Sequence, residues 1–140
     1  MRRDAALAAG LLALSGCGGG GDGRDVRIAL VVEDKNIRAE GEECAGARPF
    51  HYVHAEARYA LEDADGAVLA EGELPAGTAV NADPAIEWGV ERIPTFCSFE
   101  LELEDVPPRE SYALRLPAGR PLPFAGSLAA GGEPVRLTVR

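Results

Sequence analysis

From Asp25 onward, apolar and polar residues alternate along the chain with a period of two. This period is typical of β-strands that bury one face, because successive side chains of a strand point to opposite sides. The clearest case is CSFELELE, residues 97–104, in which the glutamates occupy the face opposite the apolar residues. The residues predicted to face a core are Val26, Ile28, Leu30 and Val32 in VRIALVVE; Val53, Ala55, Ala57, Tyr59 and Leu61 in HYVHAEARYALE; Cys97, Phe99, Leu101 and Leu103 in CSFELELE; Tyr112, Leu114 and Leu116 in SYALRL; and Val135, Leu137 and Val139 in VRLTVR.

Turn-forming residues separate these runs. The stretch EDADG, residues 62–66, predicts a hairpin turn with Gly66 at a positive φ. Prolines at 107–108 and within 117–123 interrupt the chain between the later strands, since proline cannot donate a ladder hydrogen bond. Because no segment carries an apolar stripe with the helical period, the pattern predicts an all-β domain over residues 25–140. The expected architecture is an immunoglobulin-like or transthyretin-like two-layer antiparallel sandwich of about seven strands.

The amino terminus predicts export. Met1, Arg2 and Arg3 form a basic start, and the next apolar run spans the ten residues 5–14. A helix needs about 20 apolar residues to cross a bilayer core, so this run is too short for a membrane span. A basic start, a short apolar run and small residues at its end are typical of a secretory signal peptide. We therefore expect residues 1–16 to be a signal peptide.

The residues Leu14, Ser15, Gly16 and Cys17 resemble a bacterial lipobox. The resemblance implies cleavage before Cys17, a diacylglyceryl thioether on its sulfur and a further acyl chain, such as palmitate, on its new amino group. Two or three acyl chains hold a protein to a membrane more firmly than the marginal hold of one. The mature chain would then be lipid-anchored on the extracytoplasmic side of the cell membrane or of an outer membrane. The alternative is an ordinary signal peptide beside an unrelated cysteine.

Glycines dominate the residues that follow Cys17, and this composition suits a flexible tether over residues 17–24. Random-coil scaling gives the tether a reach of about 15 Å, which would keep the domain close to the membrane. The formal charge of the whole chain is −9, and removal of residues 1–16 makes it one unit more negative. Nucleic-acid binding requires a basic surface, so no nucleic-acid partner is expected. Anionic headgroups would repel such a chain, which leaves the lipid on Cys17 as its hold on the membrane.

Two further cysteines, Cys44 and Cys97, lie 53 positions apart. An even pair in a small exported domain predicts a disulfide, which would stabilise the fold by about 4 kcal/mol in the chain-entropy model. Since Cys97 is expected to face inward, such a bridge could join the two layers. The alternative is that both cysteines are metal ligands, although no CxxC spacing accompanies them.

The order of these features resembles a group of small secreted lipoproteins of unknown function, common in actinobacteria. The motifs that carry the resemblance are the hairpin DADGAVLAEGEL, the second cysteine opening CSFELELEDVP, and the strands SYALRL and VRLTVR. The resemblance covers most of the mature chain and implies an extracytoplasmic β-sandwich, and it carries over no catalytic residues. The chain departs from that group in the long segment 80–95 and in RPFHYVH.

Few residues are candidates for catalysis or metal binding. His51 and His54 are the only histidines, and on a strand a spacing of three places them on opposite faces, with no evident further ligand. The DADG turn lacks the later oxygen ligands of an EF-hand loop. Ser127 follows a glycine but lacks the second glycine of a nucleophile elbow. We therefore expect no enzyme activity and no cofactor other than the covalent lipid on Cys17.

The segment NADPAIEWGVERIP, residues 81–94, is the best candidate for binding a partner. It is long for a connection in a small domain and contains the single tryptophan, a residue type enriched at interface hot spots. Ile86, Trp88 and Ile93 are its candidate partner-binding residues, and the alternative is that they fold back as a lid on the sandwich. The sequence thus predicts a lipid-anchored binding module or structural component of the cell envelope. The alternative function is an extracytoplasmic metal-binding protein that uses His51 and His54.

Overall fold

The computed structural model describes residues 23–140. The predicted signal peptide, the predicted lipidation site Cys17 and most of the predicted tether lie outside these residues. Within them the chain forms nine strands and one short helix. The elements are β1 (Arg24–Ala39), β2 (Glu43–Cys44), β3 (Arg58–Asp63), β4 (Val68–Glu73), β5 (Gly77–Asn81), β6 (Arg92–Val106), β7 (Ser111–Arg115), β8 (Leu122–Ala125), α1 (Gly126–Ala129) and β9 (Val135–Thr138).

The strands form two sheets that pack face to face, which confirms the predicted two-layer sandwich. One sheet has the strand order β2-β5-β6-β1-β9 and the other the order β4-β3-β7-β8. Neighbouring strands are antiparallel except β1 and β9, which pair in parallel. The strand count exceeds the expected seven because β2 and β8 span only two and four residues, too few to show an alternating pattern.

The two longest strands, β1 and β6, run side by side and supply the centre of the core. The predicted inward residues Val26, Ile28, Leu30 and Val32 of β1 are fully buried, as is Phe99 of β6. The alternation of buried and exposed residues fails at one place on the outer face of these two strands, where Val31 and Ser98 are buried as well. These two residues pair with each other in the middle of the sheet, with β5 and β9 on either side of them.

The predicted strand over residues 51–62 is wrong in its first half, because β3 begins only at Arg58. Val53 and Ala57 are buried as expected, but their N–H groups donate within local turns, while the Ala57 carbonyl accepts from the Leu74 N–H at 2.8 Å. Val53 donates to the carbonyl of Phe50, and Ala57 donates to that of His54. Glu56 has a φ of 70°, which an extended strand does not accommodate.

The hairpin turn after β3 is confirmed. Oδ1 of Asp63 accepts hydrogen bonds from the backbone N–H groups of Asp65 and Ala67, at 2.9 and 3.0 Å, and Gly66 has a φ of 81°. The Ala67 N–H is the largest cause that lowers the pKa of Asp63, with further contributions from the Asp65 N–H and from Arg109. A short acidic side chain therefore fixes this turn.

Cys44 and Cys97 form a disulfide, as predicted, with 5.7 Å between their Cα atoms. The expectation that it joins the two layers is wrong, because β2 and β6 belong to the same sheet. The bridge instead links β2 to β6 past the end of β5, where Gly77 pairs with Cys44. A Cβ atom at position 77 would overlap the Cys97 sulfur and lie 2.7 Å from the Cys44 carbonyl oxygen, so the bridge requires glycine there.

The chain crosses from one sheet to the other between β6 and β7, and Tyr112 fixes this crossing. Its buried hydroxyl donates to the Pro107 carbonyl at 2.8 Å and accepts from the Arg109 N–H at 2.9 Å. This arrangement is a tyrosine corner, in which a strand tyrosine ties down the loop just upstream of it.

Candidate functional site

The segment between β5 and β6, residues 82–91, forms one wall of an open groove of about 630 Å³. We call this the Trp88 groove. Its other wall comes from the end of β1 and the residue after it, and its floor from β6. The lining residues are Ala39, Glu40, Asn81, Ile86, Glu87, Trp88, Gly89, Val90, Glu91 and Ile93.

Short polar side chains hold the 82–91 segment in place. Oδ1 of Asn81 accepts from the Asp83 N–H at 2.9 Å and from the Trp88 Nε1–H at 3.2 Å. Oδ1 of Asp83 accepts in turn from the Ala85 N–H at 3.1 Å. Gly89, with a φ of 64°, makes the turn after the indole. Trp88 is thus oriented by a specific bond to β5.

The sequence-predicted partner-binding residues divide into two kinds. Ile86 is 42% exposed and Trp88 36% exposed, and neither is among the buried residues of the core. Ile93 is buried in β6 and supports the groove from below. Val90, which the sequence reasoning did not select, is the most exposed at 64%. Ile86, Trp88 and Val90 thus leave part of their apolar surface accessible in this segment.

Carboxylates surround this apolar surface. Glu87 and Glu91 flank Trp88 in the segment, and Glu40 stands on the opposite wall. Among the described residues, none of these three carboxylates has an arginine or lysine nitrogen within 4.0 Å. The neighbouring Arg92 is engaged elsewhere, because it pairs with Glu42 at 3.2 Å and donates to the carbonyl of Ile37 at 3.0 Å.

A second groove of about 680 Å³ lies on the outer face of the five-stranded sheet and shares Glu40 and Asn81 with the Trp88 groove. Its floor includes the buried pair Val31 and Ser98 noted above, and Arg136 of β9 lines it as well. The two grooves together cross several strands of this sheet.

A bulge in β1 positions the wall that carries Glu40. The pairing of β1 with β6 shifts between Glu33 and Ile37, and Lys35 there has a φ of 54°. The bulge is built around the buried carboxylate of Asp34, which accepts from the Asn36 N–H at 2.9 Å, from Arg38 Nε at 3.1 Å and from the Thr95 hydroxyl at 3.2 Å. Sequence reasoning missed this feature, although the polar run EDKN at 33–36 interrupts the alternation of β1.

The two histidines lie apart from the grooves, in the exposed turns before β3. They are not on a strand, which corrects the expected placement on opposite strand faces. Nδ1 of His54 lies 2.7 Å from the carbonyl oxygen of Ala55. Over residues 23–140, no three His, Cys, Asp or Glu side chains come together in a way that could hold a metal ion.

Residues 23–140 include no helix with the length and apolar character of a membrane span. Comparison with protein-family models, with curated proteins and with solved structures finds no match to this chain.

Proposed function

We propose that the protein is an exported lipoprotein, anchored through Cys17 on the extracytoplasmic side of a membrane, that binds an envelope partner in the Trp88 groove. The lipobox-like residues 14–17 and the basic, apolar start before them support the export and the anchor. The Cys44–Cys97 disulfide also supports export, because disulfides persist in oxidising compartments and are rare in the cytosol. The resemblance to secreted actinobacterial lipoproteins agrees with both.

The observation that carries the binding proposal is the exposed apolar surface of Ile86, Trp88 and Val90 inside an acidic rim. Exposed apolar patches with polar rims mark interaction sites on soluble domains, and tryptophan is enriched among the residues that dominate interface energies. The indole is already oriented by Asn81, so binding would not have to pay the entropy of fixing it.

The proposal includes no catalytic step. Apart from Asn81, the groove residues are glycine, apolar or carboxylate. Such a lining suits recognition of a partner, including a structural component of the envelope.

Membrane fractionation of producing cells tests the anchor. The unmodified protein should sediment with membranes, and Cys17→Ser should release it into the soluble extracytoplasmic fraction. The anchor would be refuted if both forms partition alike.

Site-specific photocrosslinking tests the groove. A photoreactive residue at Val90 should capture a discrete envelope partner in the anchored full chain, and Trp88→Ala should abolish that product. Leu128 is the matched control, because it is a similarly exposed apolar residue, at 57%, outside both grooves. Equal products from Val90 and Leu128 would refute the groove as the binding site.

A further inference from the structure

We propose that the Trp88 groove receives an arginine side chain from an apolar segment of its protein partner, with the guanidinium on the indole and within reach of the surrounding carboxylates. This inference rests on the proposed function and names the chemistry of the partner. It follows from the charges, the indole and the apolar residues of the groove.

The three carboxylates of the groove favour a cationic ligand. Glu40, Glu87 and Glu91 line one groove, and within residues 23–140 no cation lies in ion-pair distance of any of them. Arg92, which follows Glu91 in the chain, already bonds Glu42 and a backbone carbonyl. An incoming cation therefore meets three carboxylates that have no counter-ion among the described residues.

The indole of Trp88 favours arginine as the cation. Trp88 is partly exposed and its Nε1–H is fixed on Asn81, so the ring is presented in one orientation. Tryptophan is the strongest side-chain partner for cations, and the planar guanidinium of arginine can stack on it while its N–H groups bond carboxylates. Glu87 directly precedes Trp88 and Glu91 follows it by three residues, and both line the same groove, so they are placed to serve as those acceptors.

The exposed apolar residues of the groove favour a partner segment that is itself apolar next to its arginine. Ile86 and Val90 are exposed on either side of Trp88, and a partner segment with apolar residues next to its arginine would cover them. The acidic balance of the whole chain, −9, would steer such a basic segment toward the domain and disfavour a second copy or an anionic membrane as occupant.

Peptide binding to the full chain carrying Cys17→Ser tests the inference, because that substitution removes the lipidation site and leaves the described domain unchanged. The probe is a short peptide in which arginines alternate with leucines and valines, and its matched control replaces each arginine by citrulline, which has nearly the same shape and no charge. Trp88 is the only tryptophan, so its fluorescence reports occupancy of the groove.

We expect the arginine peptide to bind with a saturable change in Trp88 emission and the citrulline peptide to bind at least about fivefold more weakly. Neutralising the groove with Glu87→Gln and Glu91→Gln together should weaken the arginine peptide about five- to tenfold. The matched control is the pair Glu102→Gln and Glu104→Gln, which removes the same charge from exposed positions on β6 and should change binding by less than about twofold.

Several results would overturn the inference, each in a distinguishable way. Equal binding of the two peptides, or equal effects of the two double variants, would refute the arginine while leaving the groove as a binding site. Absence of peptide binding together with a Val90-specific crosslink in cells would refute the partner chemistry and leave the proposed function standing. Absence of both would refute both, and self-association lost in Trp88→Ala would identify a second copy as the occupant.

Discussion

Replacing Asp34 by alanine removes the carboxylate around which the β1 bulge is built. Three donors then lose their acceptor: the Asn36 N–H, Nε of Arg38 and the hydroxyl of Thr95. Arg38 is partly exposed and can turn to water, whereas Thr95 is buried. The Asn36 side chain still donates to the Asp34 carbonyl at 2.9 Å, so the bulge keeps part of its hydrogen bonding.

The expected loss of stability follows from those donors. A buried donor left without an acceptor costs about 1–3 kcal/mol, and a hydrogen bond to a charged group contributes about 1.5–3 kcal/mol. Allowing for the hydration of Arg38, Asp34→Ala should lower the free energy of unfolding by about 3 kcal/mol. That is a large part of the about 5–15 kcal/mol typical of a domain.

Urea unfolding of the full chain, followed by Trp88 fluorescence, measures this loss. Asp34→Asn keeps the shape and an acceptor oxygen, so it should cost clearly less than alanine, about 1–2 kcal/mol. Glu104→Ala, at an exposed position of β6, should stay within about 0.5 kcal/mol of the unmodified protein. A cost for Asp34→Ala no larger than that of Glu104→Ala would refute the reasoning.

Three further predictions concern the fold. Reduction of the Cys44–Cys97 disulfide should lower the free energy of unfolding by about 4 kcal/mol, and an unchanged urea midpoint in reductant would contradict its role. Tyr112→Phe should lower the free energy of unfolding by about 1–2 kcal/mol, because the Pro107 carbonyl and the Arg109 N–H lose their partner. The control Tyr59→Phe removes no comparable pair of bonds and should lower it by less than about 0.5 kcal/mol in the same assay. The folded-state pKa of Asp63 is lowered, so its contribution to the free energy of unfolding is present above the unfolded pKa of about 4 and is lost as the pH falls through the lower folded value. Asp63→Ala should therefore flatten that part of the curve of stability against pH. An identical slope in both proteins would contradict this.

The inner faces of the long strands could be predicted from the sequence because they depend only on the positions of side chains two residues apart. Val26, Ile28 and Phe99 are therefore buried where the alternation places them. The same rule fails over residues 51–57, where hydrogen bonds between close neighbours and the positive φ of Glu56 replace the extended backbone.

The candidate site was predictable only in part. Length and a single tryptophan select the 82–91 segment, but Glu40 enters the groove through the register of β1 against β6 and through the bulge at Asp34. Those are tertiary features that no local pattern shows. The sequence selects Ile93 as a partner-binding residue because it is apolar. Its place in β6 instead buries it at the floor of the Trp88 groove. The disulfide pairing follows from counting cysteines, whereas its confinement to one sheet depends on the position of β2 beside β5.

Crosslinking from the groove of the anchored protein in its own envelope tests the central claim most directly. The account predicts a discrete product from a photoreactive residue at Val90, no such product from Leu128, and loss of the Val90 product when Trp88 is replaced by alanine. A Val90 product that survives Trp88→Ala, or one that Leu128 gives equally, would contradict the claim that the Trp88 groove is where this protein binds its partner.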